Sequence, residues 1–260
     1  MPELVEVERY RESAEAALGR TITAVVSPDP WFLKAGTTAA ALQAVLVGNR
    51  FGAARRIGKL LLLDVDGGPV VGLRFGMTGS LRVDGGDAVG QLLYSPTRTD
   101  PAWERWSVEF ADGGRLVVHD PRRLGGVSLD PDVSGLGPDA VSIGLAGLTA
   151  ALDGSTAPLK ARLLDQSRIA GVGNLIADEV LWRAGLSPLR PAGSLSPAEL
   201  KRLHRHLGRT LTDLGDRGGS HLGDLMEERH PGGVCPRDGA PLSRSTVGGR
   251  TSWWCPAHQA

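Results

Sequence analysis

The sequence has very few cysteines, two among 260 residues, and it has no long hydrophobic run. Two cysteines do not make a disulfide scaffold, and the acidic first residues lack the apolar core of an export signal, so we expect a reducing, cytoplasmic compartment. No stretch of about 18 apolar residues occurs, so we expect no transmembrane helix and no membrane partner. Hydrophobic residues make up 41% and charged residues 22% of the chain, as in ordinary globular proteins.

The sequence also has no net charge, because 29 basic residues balance 29 acidic residues. Taken alone, this balance argues against a nucleic-acid partner. The charges are unevenly distributed, however: residues 1–16 carry five glutamates, whereas residues 50–60 carry four basic side chains and no acid. Only four of the basic residues are lysines, and two of them, Lys59 and Lys160, lie in basic clusters. Local positive charge therefore leaves DNA as a candidate partner.

The hydrophobic pattern divides the chain into a β-rich first half and a helical second half. Apolar residues at spacings of three and four predict a helix over 3–18. Between about 21 and 120, short β runs flank Asp-Gly-Gly turns at 66–68 and 112–114. Residues 126–140 have the Gly and Pro content of a linker. The segments predicted after it are helices at 145–152, 159–167, 174–184, 197–213 and 221–228, and a β-like stretch at 251–254.

This pattern predicts an α+β protein. We expect an N-terminal antiparallel β-sandwich with a leading helix, and a C-terminal helical domain that ends in a small β-hairpin. The predicted boundaries are 1–130 for the sandwich domain, 131–228 for the helical domain and 229–260 for the hairpin.

The first residues carry a candidate covalent catalyst. Removal of the initiator Met1 would expose the secondary amine of Pro2, and an α-amino group, with an ordinary pKa of about 7.7–8.0, is partly neutral at pH 7. A neutral amine can attack an aldehyde-like carbon to form an iminium. Glu3 can move protons, and Glu6, on the same helix face, can orient both neighbours. The structural alternative places Pro2 in a first helical turn, with the glutamates facing the positive end of the helix dipole.

A second candidate site is the glycine-containing connection between two predicted helices. Gly171 and Gly173 allow a tight turn, and Asn174 begins the next helix, where an N-cap and amides can hold a phosphate. Helix–turn–helix units contact DNA in this way, and Lys160 upstream is a natural phosphate contact. The alternative is an ordinary helix connection.

Two pairs of metal-ligand residues near the C-terminus have the layout of a zinc ribbon. Cys235 and Asp238 form the first pair, and 16 residues separate it from Cys255 and His258. This spacing predicts a structural Zn²⁺ site, in which His230 is a possible substitute for Asp238. The alternatives are a metal-free hairpin and a disulfide between the two cysteines, which a reducing compartment disfavours.

Together and in this order, the three sites resemble the formamidopyrimidine-DNA glycosylase/endonuclease VIII family of base-excision repair enzymes. The resemblance covers essentially the whole chain. It includes the start at residues 1–8, the loops 75–81 and 120–125, and residues 171–186, which are similar to the helix–two-turn–helix element of the family. The segment 235–258 is similar to the zinc finger of the family and has the same spacing.

The resemblance implies a mechanism and a set of site residues. Pro2 is the expected nucleophile that attacks C1′ of the damaged nucleotide, Glu3 the proton shuttle and Glu6 a supporting acid. Base release and elimination at the 3′ and 5′ phosphates follow. Lys59 joins this catalytic group as a phosphate-binding residue. Other residues expected to bind DNA are Arg74, Lys160, Gly173, Asn174 and Arg250, and those expected to fill the gap left by the flipped base are Met77, Arg122 and Leu124.

Several positions depart from the family pattern. Val5 replaces a second proline, Arg74 stands where a phosphate-binding histidine is usual, and Leu124 replaces a phenylalanine wedge. The segment between Gly218 and Cys235 has only about fifteen residues. In relatives that excise 8-oxoguanine it is much longer and includes a loop that caps the flipped base. We therefore expect an open lesion pocket that is not specific for 8-oxoguanine.

The resemblance thus implies a bacterial, nucleoid-associated monomer that flips a damaged base from double-stranded DNA, excises it and nicks the strand. Candidate substrates are oxidised pyrimidines, ring-opened purines, abasic sites and bulkier lesions. Two other hypotheses remain. One is a catalytically silent protein that binds DNA lesions, and the other is a zinc-stabilised helix–turn–helix transcription factor that reads undamaged sequence.

Overall fold

The computed structural model describes residues 2–90, 92–93, 95–96, 98 and 100–260. The chain divides into two compact units, Met1–Ser134 and Gly135–Ala260. The predicted hairpin domain, 229–260, is part of the second unit. No helix within the described residues has both the length and the apolar character that crossing a membrane requires.

The first unit begins with helix α1, Leu4–Ala14. Its apolar residues recur every three or four positions and face the core, where Val7, Tyr10 and Ala14 are fully buried. A turn of 3-10 helix follows α1 directly. The predicted leading helix is therefore confirmed, although its α-helical part ends before residue 18.

Strands of the first unit form two antiparallel sheets. The strands are β1 Ile22–Val26, β2 Phe51–Ile57, β3 Leu60–Val65, β4 Val70–Arg74, β5 Ser80–Val83, β6 Gly86–Asp87, β7 Glu104–Phe110, β8 Arg115–His119 and β9 Gly126–Leu129. One sheet has the order β2-β3-β4-β9, and the other has the order β1-β7-β8-β5-β6. The two Asp-Gly-Gly turns join β3 to β4 and β7 to β8, as predicted.

The two sheets share one hydrophobic core. Leu61 and Leu73 from one sheet and Trp106 and Val118 from the other are fully buried in the same cluster, which also contains the apolar face of α1. This arrangement confirms the predicted sandwich with a leading helix.

Two parts of the first unit differ from the sequence prediction. Helix α2, Ala39–Leu46, lies where only β runs were expected, and its start is marked by Thr38, whose hydroxyl accepts the Ala41 amide. Strand β9 occupies the beginning of the predicted linker 126–140, because it pairs with β4. Tertiary pairing here overrides the weak local signal of a glycine-rich segment.

The second unit is helical and ends in a β-hairpin. Its elements are α3 Leu145–Leu152, α4 Leu159–Leu164, α5 Asn174–Ala184, α6 Pro197–Arg217, β10 Ser243–Val247 and β11 Arg250–Trp254. These helices match four of the predicted segments, with α4 shorter and α6 longer than expected. The composition and periodicity of the second half therefore gave the correct fold class.

The predicted helix over 221–228 is wrong. Only a 3-10 turn, Ser220–Leu222, forms at its start. The carboxylate of Glu179 in α5 accepts the backbone amides of Asp224 and Leu225, both at 3.0 Å. These donors are thus satisfied by a side chain and do not enter a helical ladder.

A cluster of buried charges joins α4, α5 and β11. Lys160 and Asp178 are at most 2% exposed, and the lysine Nζ lies 2.7 Å from Oδ1 of the carboxylate. Lys160 Nζ also donates to the Thr251 carbonyl at 2.9 Å, and Arg229 donates to Oδ2 of Asp178 at 2.7 Å. Burial raises the pKa of Asp178, against the opposing effect of the two cations. The Lys160 side chain is fully buried and its ammonium is bonded within the protein, an arrangement that does not favour the predicted contact with a DNA phosphate.

We predict that Asp178→Asn destabilises the protein more than Lys160→Met. Loss of the carboxylate leaves Lys160 and Arg229 buried without a counter-ion, which should lower the free energy of unfolding by about 3–5 kcal/mol. Lys160→Met leaves Asp178 paired with Arg229, so we expect a smaller loss. Urea titrations followed by tryptophan fluorescence measure both changes. Equal losses, or a larger loss for Lys160→Met, would contradict the shared counter-ion.

Candidate functional site

The start of α1 brings Pro2, Glu3 and Glu6 together. Pro2 and Glu3 directly precede the helix, and the Glu3 amide donates to Oε2 of Glu6 at 2.7 Å in a reciprocal capping box. Both glutamates are only 1% exposed, and Pro2 is buried. The backbone beside Pro2 is therefore fixed by buried contacts. Met1, whose removal the sequence predicts, lies outside the described residues.

Lys59 lies in a turn that is tied to α1. Gly58, with φ of +56°, and Lys59 form a two-residue connection between β2 and β3. Arg56 Nε donates to Oε2 of Glu8 in α1 at 2.7 Å, and its Nη1 donates to the Gly58 carbonyl at 3.0 Å. Although burial opposes the shift, hydrogen bonds from Arg11 and Arg56 lower the pKa of Glu8. The ion pair thus holds the turn that carries Lys59 against the helix.

Tyr10 connects α1 to the loop that contains Met77. Its hydroxyl donates to the Gly79 carbonyl at 3.2 Å, and its ring lies 4.5 Å from the ring of Phe75. Burial raises the pKa of Tyr10 well above its usual value, and the negative charge of Glu6 adds to this effect. The phenol therefore remains a neutral hydrogen-bond donor that links the helix to the loop.

Asp120 holds together the two loops of the β-domain that carry predicted DNA-binding residues. It is fully buried, and its Oδ1 accepts the Thr78 hydroxyl at 2.6 Å and the Arg122 amide at 3.2 Å. Its Oδ2 accepts the Gly125 amide at 2.8 Å. A single buried carboxylate therefore fixes the backbone of loop 120–125 and joins it to loop 75–79.

The same two loops touch through their backbones. Gly76 has φ of +59°, and a Cβ at this position would lie 2.5 Å from the carbonyl carbon of Leu124, so only glycine fits. Leu124 is 51% exposed, Arg122 is exposed and Met77 is partly exposed. The three residues predicted to fill a vacated base position therefore lie on adjoining loops.

Two neighbouring arginines of the first unit differ in their surroundings. Arg74, at the end of β4, is exposed. Arg123 forms a bidentate pair with Asp29, at 2.6 and 2.7 Å, and adopts φ of +58°. This hydrogen bonding lowers the pKa of Asp29. Arg123 therefore fixes the local loop, whereas the Arg74 side chain lies at the surface.

The glycine-containing connection of the second unit is held by Gln166. Its Oε1 accepts the Gly171 amide at 3.0 Å, and its Nε2 donates to the Val172 carbonyl at 2.9 Å. Gly171 has φ of +108°, which confirms the predicted tight turn. Helix α5 begins at Asn174 as predicted, with Gly173, which has no capping side chain, at the N-cap.

Arg250 lies at the tip of the C-terminal hairpin. Gly248 and Gly249, with φ of +56° and +71°, form the two-residue turn between β10 and β11. A Cβ on Gly248 would lie 3.3 Å from Cβ of Ala161, so the tip packs on α4. Arg250 follows the turn and is exposed.

The four predicted metal ligands converge. One donor atom from each of Cys235, Asp238, Cys255 and His258 lies within 4.8 Å of all the others. His258 Nδ1 lies 3.6 Å from Cys235 Sγ and 3.0 Å from Oδ2 of Asp238, which lies 3.4 Å from Cys255 Sγ. Tetrahedral zinc with bonds of about 2.0–2.3 Å places its ligands roughly 3.3–3.8 Å apart, so this set of donors fits the metal. His230 is outside the cluster and bonds the Pro231 carbonyl.

Trp182 of α5 contacts two of these ligands. Its Nε1 donates to Cys235 Sγ at 3.3 Å, and its carbonyl lies 3.2 Å from His258 Nε2. If Nε2 carries the hydrogen and donates it to this carbonyl, Nδ1 has a free lone pair that faces the cluster. Burial raises the pKa of the Cys255 thiol, and the Ala240 amide helps lower the pKa of Asp238 to about 2. The cluster and α5 therefore form one packed region.

Sequence reasoning missed the side chains that hold these loops. Tyr10 reads as part of an apolar helix face, and Gln166 and Trp182 carry no spacing signal. Asp120 gave the clearest signal, because an acid between a β run and Pro121 is a common start of a turn, where its side chain can bind backbone amides.

Two family models match the chain. The formamidopyrimidine-DNA glycosylase N-terminal domain matches residues 1–127, and the formamidopyrimidine-DNA glycosylase H2TH domain matches residues 135–222. The formamidopyrimidine-DNA glycosylase of Thermus thermophilus is 36% identical over 100% of this chain and 98% of its own length. The protein of the same name from Dinoroseobacter shibae is 33% identical over 100% of both chains.

Solved structures give the same result. The MutM (Fpg) protein from Thermus thermophilus has a TM-score of 0.80 at 34% identity and covers 99% of this chain and 98% of its own. The Lactococcus lactis Fpg in complex with DNA containing an abasic site has a TM-score of 0.82 at 25% identity, with 99% of both chains covered. The family resemblance seen in the sequence is therefore confirmed, and the chain belongs to the formamidopyrimidine-DNA glycosylase family.

Proposed function

We propose that this protein is a DNA glycosylase and AP lyase that uses the amine of Pro2 as its nucleophile. The observation that carries the proposal is the arrangement at the start of α1, where Pro2 is followed by a buried glutamate whose amide is held by Glu6. Removal of Met1 gives Pro2 a secondary amine. The positive end of the helix dipole favours the neutral form of this amine.

In the proposed reaction the Pro2 nitrogen attacks C1′ of the damaged nucleotide. The bond between C1′ and the base breaks, and its electron pair leaves with the base, to which Glu3 can supply a proton. The bond from C1′ to the ring oxygen O4′ then breaks, the Pro2 nitrogen gives up its proton and O4′ takes one, which leaves an iminium between C1′ and Pro2. Loss of a C2′ proton then breaks the bond from C3′ to the 3′ phosphate, and a further elimination releases the 5′ phosphate. Glu6 acts as a positioning residue, because it holds the Glu3 amide.

Residues of both units provide the proposed DNA contacts. Met77, Arg122 and Leu124 fill the space that the flipped nucleotide leaves, on loops whose backbones Asp120 fixes. Phosphate contacts are proposed for Lys59, Arg74, Asn174 with Gly173, and Arg250. The solved complexes of the Lactococcus lactis protein, with abasic-site DNA and with FAPY-dG DNA, support lesion-containing DNA as the partner.

We predict that Pro2→Gly reduces the yield of the covalent adduct trapped by borohydride on abasic DNA, because the secondary amine is lost. Glu6→Ala should lower the rate of base excision by about 100-fold, the cost of misplacing a reacting group by roughly 1 Å. Glu6→Gln is the matched control, because its side-chain oxygen can still accept the Glu3 amide. Wild-type protein with a verified N-terminal Pro2 that gives no adduct would contradict the mechanism and favour a catalytically silent lesion-binding protein.

The short segment after α6 supports an open lesion pocket. Leu225 is fully buried, and Asp224 pairs with Arg183 at 2.9 Å and with Arg217 at 2.6 Å. Glu179 holds the backbone amides of this segment. This segment is therefore packed against α5 and α6, and few residues remain between α6 and Cys235 to form a loop that caps a flipped base. We propose oxidised pyrimidines, ring-opened purines and bulkier lesions as substrates in place of 8-oxoguanine.

We predict that excision of 8-oxoguanine opposite cytosine is at least about tenfold slower than excision of a ring-opened purine or an oxidised pyrimidine, because the pocket contacts to the capping loop are missing. Single-turnover assays on a panel of defined duplexes measure the rates. Incision of an abasic site serves as the control for active enzyme. Efficient excision of 8-oxoguanine would contradict the open-pocket proposal.

We propose that Zn²⁺ bound by Cys235, Asp238, Cys255 and His258 has a structural role. When bound, the metal crosslinks the two ends of the hairpin segment. Trp182 orients His258 and Cys235 toward it, and the hairpin places Arg250 at the surface. The proposal thus couples metal binding to the DNA-binding surface of the second unit.

We predict that elemental analysis finds about one zinc per chain. Asp238→Ala should weaken zinc binding, because it removes one of the four donors, whereas His230→Ala should not, because His230 lies outside the cluster. Chelation should release the metal, change tryptophan fluorescence through Trp182 and weaken DNA binding. Zinc loss from His230→Ala with normal binding by Asp238→Ala would reverse the ligand assignment.

A further inference from the structure

One exposed aromatic side chain of the first unit takes no part in the site described above. Trp31 is 66% exposed, the highest value among the large hydrophobic residues that the structure describes. Tryptophan has a large apolar surface and often provides binding energy at interfaces. Single exposed apolar residues are common, so exposure alone does not indicate a binding site, and the residues around Trp31 have to be considered.

Asp29 ties Trp31 to the loop that carries Leu124. One oxygen of Asp29 accepts the Trp31 amide at 3.1 Å, and the same carboxylate forms the bidentate pair with Arg123, the residue before Leu124. Pro30 and Asp29 begin the short 3-10 turn in which Trp31 lies. The position of Trp31 is therefore set by the same ion pair that fixes the loop of the proposed wedge.

Further contacts hold the segment 29–34 along the loop 123–127. Phe32 is fully buried, and its ring lies 3.1–3.2 Å from the position that a Cβ on Gly125 would take. The Lys34 amide donates to the Val127 carbonyl at 2.8 Å. Trp31 is thus an exposed side chain on a rigid support, next to the exposed Leu124 loop. An aromatic group on such a support loses little conformational entropy when it binds.

Lys34 places its ammonium group over the face of the Trp31 ring. Its Nζ lies 4.5 Å from the ring centroid and donates to the Trp31 carbonyl at 2.6 Å. An aromatic face beside a cation suits a nucleotide, whose base or sugar contacts the ring and whose phosphate contacts the ammonium. Leu124 has less surface than an aromatic wedge, which leaves room for a second apolar contact to the duplex.

We propose that Trp31 and Lys34 form an additional DNA-binding site that contacts a nucleotide flanking the lesion, through the indole and the ammonium respectively. This inference rests on the proposed function, because it needs the Leu124 loop to enter the duplex. It assigns the sugar or base of the flanking nucleotide to Trp31 and its phosphate to Lys34.

The test is equilibrium binding to a duplex that contains a tetrahydrofuran abasic-site analogue. Trp31→Ala should weaken binding about tenfold, the usual effect of losing one aromatic–base contact, and Trp31→Phe should retain most of the affinity. Lys34→Gln should reduce the dependence of affinity on salt by about one phosphate contact. Val141→Ala, at a 61% exposed position of the second unit, is the matched control and should bind like the wild type.

The two proposals fail in distinguishable ways. If wild-type protein forms no borohydride-trapped adduct on abasic DNA, the proposed function fails. If it forms the adduct but Trp31→Ala binds within about twofold of the wild type, below the effect of a lost stacking contact, the present inference is overturned alone. Thermal unfolding checks that each variant is folded. If Trp31→Ala does not fold, the salt dependence of Lys34→Gln is the remaining test, and a salt dependence equal to that of the wild type would overturn the inference. If Trp31→Phe also weakened DNA binding about tenfold, the proposed stacking contact would be contradicted, because any aromatic ring should be able to make it.

Discussion

The hydrogen bond between the Glu3 amide and the Glu6 carboxylate, 2.7 Å long and buried, is the constraint on which the proposed chemistry depends. It fixes the backbone at the point where the chain enters α1, so that a nucleophile at the chain end has a defined position. The helix itself is held by the core and by the Tyr10 hydroxyl. A proline at this position adds rigidity, because its ring prevents rotation about the N–Cα bond. Catalysis by a chain terminus, normally the most mobile part of a protein, is therefore structurally reasonable.

The same principle recurs elsewhere in the molecule, where buried or partly buried polar side chains hold backbone amides. Asp120 fixes the loop of Arg122 and Leu124, Gln166 fixes the turn before α5, and Glu179 fixes the segment after α6. In each case the side chain accepts backbone amides, and in the proposed function the exposed side chains nearby bind DNA. Arg74 and Leu124, two positions that depart from the family pattern, are both exposed, whereas the buried Asp120 holds the loop that carries Leu124.

Much of the fold was predictable from periodicity and turn residues. The helix α1, the Asp-Gly-Gly hairpins and the start of α5 at Asn174 follow from local patterns. Strand β9 and the segment after α6 did not, because β9 needs its partner β4 and the segment needs the Glu179 carboxylate. At the site, the spacing was enough to predict the Cys235 to His258 cluster, because a hairpin between two close pairs of donors brings the pairs together. It was not enough for Lys160, because sequence shows a charge and its neighbours but not its burial against Asp178.

The central claim is that the Pro2 amine becomes bonded to the DNA. The most direct measurement is mass spectrometry of the borohydride-reduced complex with abasic DNA, after digestion of both protein and DNA. The account predicts that the sugar remnant is on the N-terminal peptide, at the nitrogen of Pro2, in protein from which Met1 has been removed. A remnant on Lys59 or on any other lysine, with Pro2 unmodified, would contradict it.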